Sequence, residues 1–336
     1  MMEDIIMKYV RLGNSGLKVS KLCFGCMSFG TPGGPTHPWV ITEEEAQPFF
    51  ERAIDAGINF FDTADYYNLG DSEEITGRAL KKYTNRDEVV IATKLGLPMG
   101  TAPTQRGLSR KHIVEALERS LKRLKLDYVD ILYIHRLDLD TPDDEMLEAI
   151  QMLVGQGKVI YPAASSMRAW QFAKLREKQK AAGYSPFIAM QNFYNLIYRE
   201  EEREMMPYCE SEGVAVVPWS PIARGFLAGN RPRDGKRTNR AKTDKSADDL
   251  LGAEQDYKIL AHLEQVAKQT GYSPAQIAYA WVLSKPYVTA PIIGSTKIEQ
   301  LNEAIASLEI VLTSEQIELL ESAYRPRDVM GIGRDL

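Results

Sequence analysis

Short apolar runs alternate with amphipathic stretches along almost the whole chain. The runs fall at 22–24, 58–61, 89–93, 128–134, 159–164, 188–190, 214–218 and 289–293, and most are rich in Val, Ile and Leu. Continuous apolar runs of this length read as strands buried on both faces. Between them lie helical patterns with clear starts. Thr42-Glu43-Glu44-Glu45 is a capping box that opens a helix with Ala46, Phe49, Phe50 and Ala53 on one face. Ser109 caps a second such stretch, Ser273-Pro274-Ala275-Gln276 a third, and Thr141-Pro142 puts Pro at a first helical position. Thr296-Lys297-Ile298-Glu299 reads as a further capping box, and 313–324 as a last amphipathic helix.

Strict strand–helix alternation means a parallel sheet. Eight units predict a closed (β/α)8 TIM barrel. No Gly-x-Gly-x-x-Gly follows any strand, which argues against an open dinucleotide-binding sheet. Residues 8–20 predict an N-terminal β-hairpin, and the last helices are extra to the barrel. No boundary divides the chain, so 1–336 is read as a single domain. Residues 230–252 form a long polar loop, the one stretch that reads as flexible.

Composition narrows the class. The chain has 336 residues, 44% hydrophobic and 26% charged, as soluble globular proteins do. Net charge is −5 and the basic residues are dispersed apart from 231–245, so nucleic acid is not expected as a partner. No apolar run approaches a membrane span. The three cysteines, Cys23, Cys26 and Cys209, are too few for a disulfide framework. Together with the lack of a signal-peptide pattern they predict a cytoplasmic protein. Cys23 and Cys26 have redox spacing but sit in an apolar strand and read as buried small hydrophobes.

Catalytic residues of a barrel sit where its strands end. The strands here end in Asp62 with Tyr66 and Tyr67 close behind, Lys94, His135, Ser165-Ser166, Gln191, Trp219-Ser220 and Gly294-Ser295. Singly, each has an ordinary structural use: a rim ion pair, a cap, packing. Asp, Tyr, Lys and His at three successive strand ends converge on one mouth and suit one reaction. A phenol ordinarily titrates near 10. A buried ammonium beside it favours the phenolate, and a carboxylate supplies the ammonium's counter-charge. An imidazole can orient the same substrate oxygen. Such a set gives a proton to a carbonyl oxygen, and the hydride must come from a cofactor.

Asp62-Thr63-Ala64-Asp65-Tyr66-Tyr67, Ala92-Thr93-Lys94 and Ile134-His135-Arg136 resemble the tetrad of the aldo-keto reductases. The resemblance runs from Arg11-Leu12-Gly13 to the last helix. It implies Tyr67 as general acid, Lys94 lowering its pKa, Asp62 pairing with Lys94, and His135 orienting the carbonyl. The implied cofactor is NADPH/NADP+, lying across the barrel mouth. Ser165, Ser166 and Gln191 match the group that holds the carboxamide, and Trp219 the aromatic that stacks on the nicotinamide. Ser220, Pro221, Ile222, Arg224 and Gly225 match the pyrophosphate loop. Gly294, Ser295, Thr296, Lys297, Gln300 and Glu303 match the adenosine site, where Lys297 at a helix N-terminus would face a 2′-phosphate. Ser166 and Ala304 stand where many members carry Asn, and Ala163 where many carry Gly.

Trp219-Ser220-Pro221-Ile222-Ala223-Arg224-Gly225 and the 194–201 stretch are similar to the aryl-alcohol dehydrogenase-like and YajO-like branch. That implies aromatic and aliphatic aldehydes as small-molecule substrates, with sugar phosphates as the alternative and Arg136 or Arg199 as phosphate ligands. Met27, Phe29, Tyr66 and Arg136 are the expected pocket residues, with Phe226 reaching in from the polar loop. Two other readings stay open: an NADPH-binding regulatory subunit with little turnover, and a barrel lyase or isomerase. The sequence assigns no oligomeric state.

Overall fold

A computed structural model describes residues 6–233 and 238–331. Two hairpin strands, β1 (Tyr9–Arg11) and β2 (Lys18–Ser20), pair antiparallel. Eight further strands follow: β3 (Cys23–Gly25), β4 (Phe60–Asp62), β5 (Val90–Leu95), β6 (Val129–Ile134), β7 (Val159–Ser165), β8 (Ala189–Gln191), β9 (Ala215–Val216) and β10 (Ile292–Ile293). They form one parallel sheet in the order β10-β3-β4-β5-β6-β7-β8-β9. The two ends meet: Val216 bridges Val288 in parallel, and Ile292 N–H donates to the Pro218 carbonyl at 2.9 Å. The sheet therefore curls into the expected (β/α)8 barrel.

Alternation along each strand sorts the side chains. Phe60, Val90, Ala92, Ile131, Tyr133 and Ala163 fill the barrel interior with Cys23, Ala189, Ala215 and Val217. The bulky Phe60, Ile131 and Tyr133 share this interior with the small Ala92, Ala163, Ala189 and Ala215, a mixture of large and small side chains that suits close packing. Phe24, Phe61, Ile91, Leu132 and Met190 point the other way, under the helices. Leu12 and Val19 of the hairpin join the interior cluster and close the N-terminal end. The hairpin turn docks through Asn14 N–H on the Gly213 carbonyl at 2.7 Å. Gly13 adopts φ +59° there, where a Cβ would come within 2.4 Å of the Gly213 oxygen.

Six helices follow in chain order: α1 (Glu43–Asp55), α2 (Asp71–Tyr83), α3 (Arg110–Leu124), α4 (Asp143–Gly155), α5 (Ala169–Ala181) and α6 (Met205–Ser211). The Thr42–Glu45 capping box is reciprocal, as expected. Helices α2 and α3 approach so closely that a Cβ on Gly77 would meet the Leu124 carbonyl oxygen at 2.2 Å. The polar stretch 230–252 is not irregular throughout: it contains α7 (Asn239–Thr243) and α8 (Lys245–Leu250), while 234–237 lie outside the described residues. Helices α9 (Glu254–Thr270), α10 (Pro274–Leu283), α11 (Ile298–Ala306) and α12 (Ser314–Ser322) complete the chain.

Three local expectations are corrected. The capping box at Thr296 does not form: Lys297 is the residue that caps α11, without a side-chain bond, and the Thr296 N–H donates to Gln300 Oε1 at 3.1 Å. Pro142 caps α4 rather than starting it, because its ψ of 132° is extended. The eighth strand is regular only over Ile292–Ile293. Cys23, Cys26 and Cys209 are free and buried, and burial pushes the Cys26 thiol up to about 12. No helix among the described residues is long and apolar enough to cross a membrane.

Candidate active site

The C-terminal ends of the strands surround a cavity of about 1000 Å3. Its floor is an ion pair. Lys94, on β5, has no exposed surface, and Asp62, ending β4, is 1% exposed. The Lys94 Nζ donates to Asp62 Oδ1 at 2.5 Å, to the Thr63 carbonyl at 2.9 Å and to Tyr67 Oη at 3.1 Å. The second carboxylate oxygen, Asp62 Oδ2, accepts from Gln191 Nε2 at 2.9 Å, so β8 braces β4 across the barrel. Burial opposes charge on both partners, but Asp62 and then Tyr67 hold the Lys94 ammonium above its ordinary value. Three acceptors around one Nζ keep the pair ionised.

Tyr67 begins the turn after β4 and reaches back over Lys94. Asn68 and Leu69 take positive φ of 48° and 53° in that turn, and the Thr36 hydroxyl accepts from the Asn68 N–H at 3.0 Å. Burial raises the Tyr67 phenol above its ordinary value, and the Lys94 ammonium offsets part of that rise. The expected lowering by Lys94 is therefore present as a contribution, but burial outweighs it and the phenol stays protonated. His135, at the end of β6, sets its ring 5.8 Å from that of Tyr67 at 82°. It is 7% exposed, and its Nδ1 has no partner among the described residues. Burial first, then the charges of Lys94 and Arg136, hold it well below its ordinary pKa. It is a neutral imidazole.

Behind this floor, Glu73 on α2 is fully buried and accepts from Thr93 Oγ1 at 2.5 Å and Arg123 Nε at 2.6 Å. That network ties α2, α3 and the strand of Lys94 together.

The expected cofactor residues also gather at the mouth. Ser165 Oγ donates to the Gln191 carbonyl at 2.9 Å. Trp219 Nε1 donates to Ser166 Oγ at 3.0 Å, and its ring stacks on Phe193 at 4.5 Å. Ser220, Pro221, Ile222, Arg224 and Gly225 line the cavity, as do Gly294, Thr296, Lys297 and Gln300. Ser166 and Ser295 are buried and do not line it, and the Ser295 hydroxyl has no partner among the described residues. Glu303, further along α11, does not line it.

Among the expected pocket residues, Met27, Tyr66 and Arg136 line the cavity. Phe29 does not: it is fully buried under α1, 5.1 Å from Phe50. Phe226 is likewise buried, against Tyr257. Arg199 is outside the cavity, paired with Glu202 and Glu321. Sequence reasoning missed His37 and Trp39, which the loop after β3 brings over Tyr67. The His37 ring lies 5.6 Å from Tyr67 at 87° and 5.8 Å from Trp39. It also missed Arg240, from α7, stacked 4.0 Å over Trp39. Arg224 forms a two-pronged bond with Asp244 at 2.7 and 2.8 Å, holding the 238–250 stretch against the mouth. The tail returns as well: Met330 N–H donates to Tyr198 Oη at 3.1 Å, and Val329, Met330 and Gly331 line the cavity. A His and a Trp in a Gly/Pro-rich loop at the catalytic face were the available signal for the first pair.

The protein is thus a closed parallel barrel with a Lys–Asp–Tyr–His cluster at its mouth. The sequence model of the Aldo/keto reductase family matches residues 21–325, and the chain belongs to that family of oxidoreductases. It is 45% identical to versiconal hemiacetal acetate reductase of Aspergillus parasiticus, over 96% of this chain and 98% of that one. It is 42% identical to a putative aryl-alcohol dehydrogenase of Schizosaccharomyces pombe, over 96% and 97% of the two chains. A putative aryl-alcohol dehydrogenase of Saccharomyces cerevisiae is 40% identical, over 96% and 98%.

Proposed function

We propose that the protein reduces aldehydes and ketones to alcohols with NADPH, and that Tyr67 is the general acid. The observation that carries this reading is the Lys94 ammonium, held between Asp62 and the Tyr67 hydroxyl at 2.5 and 3.1 Å.

The family generally uses a nicotinamide cofactor, and the residues present fit one. Ser295, between cavity-lining Gly294 and Thr296, has a buried hydroxyl with no partner among the described residues. Ser166, Ser220, Ala223, Arg224 and Gly225 all take positive φ, which curls the backbone as anion-binding loops do. Lys297, exposed at the start of α11, has no ion-pair partner among the described residues and would hold a 2′-phosphate. Bound there, reduced nicotinamide supplies the hydride that no side chain can give.

The side chains do the rest. Tyr67 Oη gives its proton to the carbonyl oxygen as the carbonyl carbon is reduced. The phenolate left behind sits 3.1 Å from the Lys94 Nζ, which stabilises it until solvent returns the proton. His135, neutral, orients the same oxygen. The raised phenol suits this task, since the acid must keep its proton until the oxygen develops charge. His37, Trp39, Tyr66 and Trp219 make an aromatic mouth for planar carbonyl compounds. The names of the aryl-alcohol dehydrogenase relatives support aromatic aldehydes as substrates.

The test is loss of reduced-nicotinamide absorbance with NADPH and 4-nitrobenzaldehyde. Turnover is expected. NADPH binding without turnover on any carbonyl of a broad panel would favour a regulatory role, and no NADPH binding would overturn the assignment of the cofactor site.

A further inference from the structure

Arg136 follows His135 directly, so the end of β6 delivers it to the cavity beside Tyr67. Its guanidinium lies 5.9 Å from the centre of the Trp219 ring, and its Nη1 donates to the His135 carbonyl at 2.7 Å. No carboxylate of the described residues stands within ion-pair distance. Other arginines of the site and its surroundings differ: Arg224, at the mouth, is held by Asp244, and Arg123, behind the floor, by Glu73. Burial pulls the Arg136 pKa down to about 10; the Tyr67 oxygen works against that and Arg224 adds to it. Arg136 is half-buried in the cavity wall, and a partly desolvated guanidinium without a counter-charge is placed to take an anion that a ligand brings. The three neighbouring cationic groups at the mouth do not need this anion. Arg224 has its own carboxylate, Arg240 is 3.6 Å from the same Asp244, and Lys94 has Asp62.

We propose that Arg136 is a substrate-recognition residue, which takes a carboxylate on the carbonyl substrate while the carbonyl lies against Tyr67 and His135. The preferred substrate class is then an aldehyde or ketone that carries an acid group. This rests on the reductase reading above. His37 and Tyr66 pack edge to face, with rings 6.2 Å apart at 85°, and with Trp39 and Trp219 they give the cavity that Arg136 lines aromatic walls. A planar guanidinium can grip a carboxylate with two parallel hydrogen bonds.

The experiment compares 3- and 4-carboxybenzaldehyde with their methyl esters, using NADPH and the wild-type protein, Arg136→Met and Arg136→Lys. The wild type is expected to prefer the better acid over its ester by about tenfold to a hundredfold in kcat/KM, mostly through KM. Arg136→Met should collapse that ratio, and Arg136→Lys should keep part of it. Should the Met variant not fold, inhibition of the wild type by 4-(hydroxymethyl)benzoate against its methyl ester carries the same test, with the acid expected to bind tighter. Equal rates for acid and ester in the wild type would sink the proposal while leaving the reductase reading intact. So would a ratio that survives Arg136→Met. A loss of NADPH affinity in Arg136→Met that matches the loss on the acid would put the guanidinium on a cofactor phosphate and overturn it too. No turnover of any of the four compounds, or of other carbonyls, would remove the reductase reading and this one with it.

Discussion

Asp62→Asn isolates one charge in the interior. The Lys94 ammonium is fully buried, and its three acceptors are Asp62 at 2.5 Å, the Thr63 carbonyl and Tyr67. The substitution keeps the shape and removes the one anion among those three acceptors. Breaking a buried pair from one side costs about 3–5 kcal/mol, because the remaining charge is left uncompensated. Lys94→Met is the mirror case: it leaves Asp62 with the Gln191 amide at 2.9 Å and the same order of penalty. The double variant strands no charge, so it should lose well under the sum, with a coupling of at least about 2 kcal/mol. Urea unfolding of the four proteins at neutral pH measures the cycle, against a total stability of roughly 5–15 kcal/mol. Additive losses, within about 0.5 kcal/mol, would show that the two side chains are not a coupled ion pair. Activity gives a second reading of the same cycle. Both single variants should fall steeply in kcat, and the double should not recover, because stability needs the charges matched while catalysis needs the ammonium itself.

Turnover should be flat in pH from about 6 to about 8. His135 is already neutral there, held well below its ordinary value by burial, and Tyr67 is raised, so the acid is lost only above roughly pH 10. A kcat/KM profile with an inflection near about 6.5 would contradict this. Asp65 is buried, and burial with the nearby Glu73 charge pushes its carboxyl well above the ordinary range. Its folded value thus exceeds its unfolded one, so its contribution is fully present below about pH 3.9 and is lost as pH rises. Asp65→Asn should therefore be the more stable protein at neutral pH, with the advantage shrinking towards acid; an advantage that grows on acidification would refute the direction. Lys297→Ala should weaken NADPH by about tenfold and NADH far less, read by fluorescence titration. Equal losses would remove the 2′-phosphate role.

The parts of the site that strands carry were legible in the chain. Asp62, Lys94, His135, Ser165 and Gln191 end short apolar runs, and a barrel turns that one-dimensional fact into a shared mouth. Tyr67 was legible through its distance from Asp62. What loops carry was not. His37 and Trp39 sit in a stretch whose Gly and Pro content announces a turn but not where the turn leads, and Phe29, the aromatic chosen from that region, packs under α1 instead. The polar composition of 230–252 hid α7 and α8, because their fixing depends on long-range bonds such as Arg224–Asp244 and Arg231–Asp248 rather than on an amphipathic face. The returning tail was invisible for the same reason: Met330 reaches the mouth through a bond to Tyr198, which no local pattern encodes. The Thr296 capping box failed because Gln300 satisfies the Thr296 N–H in its place.

Two adjacent tyrosines stand after Asp62, and both line the cavity. Only Tyr67 has its hydroxyl on the Lys94 ammonium. Replacing each by Phe in turn and measuring single-turnover reduction of an aromatic aldehyde with NADPH tests the central claim. Tyr67→Phe should lower the rate by about a hundredfold to ten-thousandfold while NADPH still binds. Tyr66→Phe should change KM and leave the rate within about tenfold. A steep loss in Tyr66→Phe, or a near-normal rate in Tyr67→Phe, would contradict the account.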